Sequence, residues 1–206
     1  LLLLMPLVAP ALHASRLVRV SLALGVIGST FEIAYITAQA ARGVASHYND
    51  DTPLEAALYS LMGLGATAIV VGAAGIGIAI ALSPDPAGRA AGLRLGAATG
   101  LILGAVATLI TAFIMASGYD GPGHWVGDQR TDLNGLPLVG WSTTGGDLRV
   151  PHFFATHLMQ ALPLAGLLAD RWVPRLARPL VIAVALFGLA VVAATFWQAI
   201  NGQPLI

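Results

Sequence analysis

Two histidines five residues apart, His152 and His157, with Gln160 one turn beyond the second, carry the strongest chemical signal in this sequence. An imidazole can ligate a metal, move a proton near neutral pH or hydrogen-bond across a helix interface. Five residues turn a helix by about 140°, so the pair does not form the i, i+4 face of a helical zinc motif. Metal ligands would have to come from several segments, with His47, His124 and Glu32 as the other contributors. A haem b held between facing helices needs a buried histidine on a second span, and no other span has one; single-histidine or loop ligation stays open. The plain alternative is that His157 and Gln160 form an interhelical hydrogen-bonded pair. Nucleophilic catalysis finds no support: there is no cysteine, Ser142-Thr-Thr144 has no triad spacing, and no nucleophile elbow is present. No phosphate loop or dinucleotide fingerprint occurs either.

The elements that must position these groups are apolar. Hydrophobic residues make up 57% of the 206 and charged residues only 10%, too few to solvate a bundle of this size in water. Several apolar runs exceed the roughly 20 residues that cross a bilayer. Five spans are expected, at about 17–41, 54–82, 90–117, 152–169 and 179–200. They make residues 1–206 a single, all-α, polytopic transmembrane bundle in contact with lipid. Residues 1–16 hold a short apolar stretch broken by two prolines, which resembles a signal-peptide core but suits an interfacial or re-entrant piece. Arginine is the only strongly basic residue type, and net charge is zero, so no basic face points to nucleic acid.

Arg16, Arg19, Arg89, Arg94, Arg171, Arg175 and Arg178 gather on one side of these spans, with Arg42, Arg130 and Arg149 on the other. That asymmetry predicts a cytoplasmic N-terminus and an extracytoplasmic loop 118–151. The loop is rich in glycine, proline and tryptophan, and too long for a plain connector, so a structured cap is expected.

Polar side chains cluster at the outer ends of the spans. Span one carries Glu32 and Tyr35 on a small-and-polar stripe; span four carries His152, His157 and Gln160; span five ends in Gln198. A carboxylic acid inside a span costs on the order of 2.5–3.5 kcal/mol unless partnered, so Glu32 should be paired or protonated. These groups are expected to line an outward-facing pocket, Glu32 and His157 together. Glu55, by contrast, completes a capping box with Thr52 and needs no chemistry.

The clearest packing signal is the four-residue ridge Gly88, Gly92, Gly96, Gly100, Gly104, continued by Thr108, Ala112 and Ala116. Such a ridge permits close helix approach. The matching face of span two (Gly65, Ala68, Gly72, Gly75, Ala79) suggests a tight hairpin of spans two and three, with Asp85 capping the third. The ridge also offers a surface for self-association or for other membrane subunits.

Gly140–Gln160, GWSTTGGDLRVPHFFATHLMQ, resembles a segment of uncharacterised bacterial polytopic membrane proteins. The resemblance covers the end of the loop and the start of span four, and implies a multi-pass place in the bacterial inner membrane without implying an activity. The expected function is binding of a small ligand or cofactor, with a redox link through quinone, haem or a metal. The alternative is a non-catalytic accessory subunit of a larger membrane complex. A small transporter ranks behind both, since no internal repeat or broken helix pair is visible.

Overall fold

The computed structural model describes residues 15–84, 90–121, 123–127, 130–133 and 135–206. The early apolar stretch, Gly88 and the Asp85 cap therefore lie outside the described residues. The chain is all-α. Its helices are α1 (Arg16–Arg42), α2 (Pro53–Leu82), α3 (Ala91–Ala116), α4 (Arg149–Trp172) and α5 (Ala177–Ile200), the last preceded by a 3-10 turn at Pro174–Leu176. Two short strands, β1 (Trp125–Val126) and β2 (Gly146–Asp147), pair antiparallel between α3 and α4. Four of the helical segments, Arg16–Arg42, Pro53–Leu82, Ala91–Ala116 and Pro174–Ile200, are long and apolar enough to cross a membrane, as a multi-pass protein requires. Large apolar side chains such as Ile27, Ile33, Ile110, Phe113, Leu186 and Phe187 stand exposed along them, as lipid-facing residues do. The helix absent from that set is α4, which carries Arg149, His152, His157, Gln160, Asp170 and Arg171.

The chain separates into two compact units, Leu1–Pro84 and Asp85–Ile206. In the first, α1 opens on Ser15, whose hydroxyl accepts from Val18 N, and closes on Gly43, left-handed at φ 69°. There the Gly43 and Val44 amides bond back to Ala40 O and Gln39 O. The helix packs on α2 through small residues. A Cβ on Gly28 would come within 2.5 Å of Gly65 O, and one on Gly72 within 2.6 Å of Ser21 O. Gly65, Gly72 and Gly75 on the smooth face of α2, which the hairpin reading assigns to α3, are thus met by α1.

In the second unit the glycine ridge of α3 meets α4. A Cβ on Gly92 would lie 2.7 Å from Gly166 O, and one on Gly100 2.8 Å from Leu158 O; Gly96 sits closer still to Leu162 O. Pro163, buried inside α4, explains the need. Its ring stands over Gly96 and Gly100, where any larger residue would clash. Proline removes one helical N–H, and α3 can approach that stretch only with a nearly bare backbone. Higher up, the Thr108 and Thr156 hydroxyls meet at 3.2 Å. The ridge is real, but its partner is α4. At the other end of the same contact, Asp170 receives the Gly92 and Leu93 amides, each at 2.8 Å. A carboxylate is badly placed at the C-terminal end of its own helix, yet well placed at the N-terminal end of a neighbour. Asp170 thereby caps α3, which has no side-chain cap of its own.

Between α3 and α4 the chain builds a folded cap. Val126 and Leu148 bury against Ala199 of α5, with Ile114, Met115, Phe196 and Ile200 packed around them. Gly146 is required here, because a Cβ would run into the Ala199 carbonyl. The structured loop expected from sequence is present.

Candidate functional site

Three polar groupings compete for the role of site. The first is in the cap. Asp147 is fully buried, and its two oxygens accept from Ser142 N (3.0 Å), Arg149 N (3.0 Å) and the Arg149 guanidinium (Nη2 at 2.7 Å). Arg149 also reaches Asp132 Oδ1 at 2.7 Å and Gly140 O at 2.8 Å. His124, buried beside the Trp125 ring, bonds Asp132 Oδ1 through Nε2 at 3.3 Å, and its backbone carbonyl accepts from Leu148 N. Burial, helped by the nearby Arg149 charge, holds the His124 imidazole below its ordinary range. Partial burial works the other way on Asp132. It is outweighed by the hydrogen bond from His124 and the charge of Arg149, which hold that carboxyl low.

One ligand atom each from His124, Asp132 and Asp147 lies within 4.8 Å of the others, a spacing that suits a metal ion. The donors decide against that use. Arg149 already occupies the space between the two carboxylates, and Asp147 has both oxygens committed to N–H groups. A cation would first have to displace a guanidinium that makes four good bonds. The cap node is an internal ion pair, with the arginine serving as its cation. Ser142 belongs to the same lock: its Oγ accepts from Thr144 N and Gly145 N, closing a turn rather than awaiting a substrate.

The second grouping is in the first unit. Glu55 Oε1 pairs with Arg42 Nη2 at 2.5 Å, and Oε2 accepts from Gln39 Nε2 at 2.6 Å and from Asn49 Nδ2 at 3.4 Å. Only half of the expected capping box forms. Thr52 Oγ1 accepts from Glu55 N at 3.2 Å, while the Glu55 carboxylate turns to these partners across the loop. The buried Tyr35 hydroxyl accepts from Gln39 at 3.4 Å, which places Tyr35 in this structural network. His47 is exposed, bonded to Ser46 and 6.3 Å from the Tyr59 ring. It stands outside the His/carboxylate grouping with metal-like spacing found among the described residues. Glu32 is half-buried near the middle of α1, with no hydrogen-bond or ion-pair partner among the described residues.

The third grouping lies on α4. His152 Nδ1 meets Thr111 Oγ1 of α3 at 3.1 Å, a helix-to-helix bond. His157 points the other way. It is exposed, its ring lies 3.9 Å from that of Phe153, and its Nδ1 bonds Phe153 O at 2.7 Å. A carbonyl can only accept, so Nδ1 donates, and in the neutral ring Nε2 presents a bare lone pair. Gln160, one turn on, is exposed on the same face; the His157–Gln160 hydrogen bond is not formed. Gln198 of α5 is spent on its own C-terminal segment, bonding Pro204 O at 2.5 Å. The niche beside it, bounded by Asp147, Val150 and Thr195, is too tight to admit a water molecule.

Of the residues that the sequence singles out, His152 (through Nδ1), Tyr35 and Gln198 each make a structural hydrogen bond. His157, Gln160 and Glu32 keep unused capacity. Among the described residues no fully buried side-chain polar atom lacks a partner, so open capacity is confined to exposed or partly exposed groups. Comparison with protein-family models, curated proteins and solved structures found no match.

Proposed function

We propose that this chain is a multi-pass protein of the bacterial inner membrane, N-terminus in the cytoplasm, that binds a small ligand or cofactor on the open face of α4. The arginine asymmetry supports the placement. The observation that carries the binding role is His157: its Nδ1 is held by Phe153 O, its Nε2 has no partner among the described residues, and Gln160 stands beside it. An imidazole held by a carbonyl at one nitrogen and open at the other is the arrangement found at metal and haem ligands. A lone pair of this kind suits a metal ion, a haem iron or the hydroxyl of a reduced quinol. It does not suit an oxidised quinone carbonyl, which needs a donor; the Gln160 amide could supply that.

The test is an absorption spectrum with metal analysis of the purified protein beside His157→Gln. Bound cofactor in the parent, lost in a variant that keeps its helical content, supports the proposal; a parent with no chromophore, metal or extractable quinone overturns it. The second reading is an accessory subunit, favoured by the same exposure. Uncovered His157 and Gln160 are costly against lipid, and a neighbouring subunit would cover them. Because α4 already fills the glycine ridge, such a partner would meet this face of α4 instead.

A further inference from the structure

The cap ends in a feature that its own packing does not explain. Residues 135–141 close a rigid turn: Leu136 N bonds Trp141 O at 2.8 Å, and Gly140 N bonds Leu136 O at 2.8 Å. The base is so tight that a Cβ on Gly135 would stand 2.7 Å from Gly140 O. At the tip Leu138 is held left-handed at φ 73° and is fully exposed, with Val139 exposed beside it. A bulky residue at positive φ is strained, and here no apolar contact within the protein compensates for the strain. Glycine or asparagine would fit the same turn without strain. The leucine therefore answers to something outside the chain.

We propose that the Leu136–Val139 turn is a membrane-dipping finger that seats its tip in the leaflet at this end of the helices. Three observations choose lipid over a protein partner. The finger continues an exposed apolar surface, because Trp141 at its base stands edge-on to the exposed Phe153 ring of α4 at 5.3 Å. Its base carries an aromatic residue of the kind that anchors at the headgroup level, Trp141. And no residue from 135 to 146 is charged, so the segment offers no ion-pairing group to a protein partner, while an uncharged apolar tip enters a bilayer by burial alone. The turn abuts the His157 face through Phe153, but its test reads positions 138 and 139 alone and so is distinguishable from the cofactor reading.

The chain has no cysteine, so Leu138→Cys gives one labelling site. The labelled full chain is reconstituted in phosphatidylcholine vesicles with an environment-sensitive fluorophore at that site and, as a reference, at the exposed loop position Asp50→Cys. The finger predicts blue-shifted emission at 138, quenching by phospholipid bearing a nitroxide near the headgroup, and shielding from iodide present on both sides. The reference should stay iodide-accessible and insensitive to the lipid quencher. Val139→Cys repeats the measurement should the label at 138 disturb the turn. Water-like emission at both 138 and 139, open to iodide, overturns the proposal. That outcome would hand the tip to a soluble or protein partner.

Discussion

The cap and the open face of α4 meet at Arg149, yet they treat polar groups in opposite ways. In the cap a fully buried carboxylate, a guanidinium and an imidazole satisfy one another. Two turns further along α4, His157 satisfies one ring nitrogen and leaves the other open. The cap has more charge, more histidine–carboxylate contacts and a metal-like spacing. It is nonetheless the poorer site, because nothing in it is left to bind with. Unused hydrogen-bonding capacity, more than the number of ionisable groups, separates a place that binds from a place that holds.

The largest effect should come from breaking the cap node. Asp147→Ala would strand the Arg149 guanidinium and the Ser142 and Arg149 amides without their acceptor. Removing one partner of a buried pair costs about 3–5 kcal/mol. Thermal unfolding and limited proteolysis in the loop should both show the loss. A small change would mean that the apolar cluster of Val126, Leu148 and Ala199 holds the cap alone. Next comes the contact that carries both regions. Gly96→Leu would drive a side chain into the Leu162 carbonyl and lower folded yield, with a cost of about 1–3 kcal/mol or more. Normal stability in that variant would separate α4 from the ridge.

The apolar runs made the helices legible, since length and hydropathy are properties of one segment at a time. The glycine ridge was legible for the same reason, but its partner was not. A small-residue ridge says that some backbone comes close without saying whose, and Pro163 and Asp170 on α4 decide it. Gly65 and Gly72 were misassigned on the same ground; α1 supplies Gly28 and Ser21 to meet them. Glu55 shows how local signals mislead. Thr52, Pro53 and Glu55 read as a complete capping box, yet Arg42 and Gln39 outcompete the Thr52 amide for the carboxylate. The cap node draws on residues up to 17 positions apart in a single contact, Asp132 with Arg149, whose convergence no periodicity announces. The signals that could have pointed to it are Asp147 and Arg149, two opposite charges bracketing one residue at the mouth of a helix.

A titration sharpens the comparison further. Burial, with Arg149 nearby, lowers the His124 pKa in the folded cap. The folded cap then binds fewer protons than the unfolded loop over the range where histidine titrates. Its stability is therefore fully present above the ordinary histidine value of 6.5 and falls as pH drops from there through the depressed folded value. Asp132, also held low, adds a second loss below its ordinary 3.8. Proteolysis of the loop at a series of pH values should show protection that is flat above about 7.5 and declines on acidification. His124→Gln should remove the first decline and leave the second. A protection profile that rises as pH falls from 7 to 5 would contradict this account of the node.

The smallest effect on stability should come from His157, the residue on which the proposed binding role rests. His157 is exposed, and its one hydrogen bond runs to a carbonyl four residues back that the helix already satisfies. Replacing it by glutamine removes little buried surface, so the change in unfolding free energy should stay within about 0.5 kcal/mol. Against the cap variants that is almost silent. A bound metal or haem, however, would lose its ligating nitrogen outright, because an amide has no equivalent lone pair of that basicity. The paired measurement is thermal stability alongside cofactor content. Unchanged stability with lost cofactor places the function on the open face, as the contrast with the cap predicts. A stability loss as large as that of Asp147→Ala would mean that His157 is structural after all. In that event the two regions would no longer differ, and the open face would have no claim to be a site.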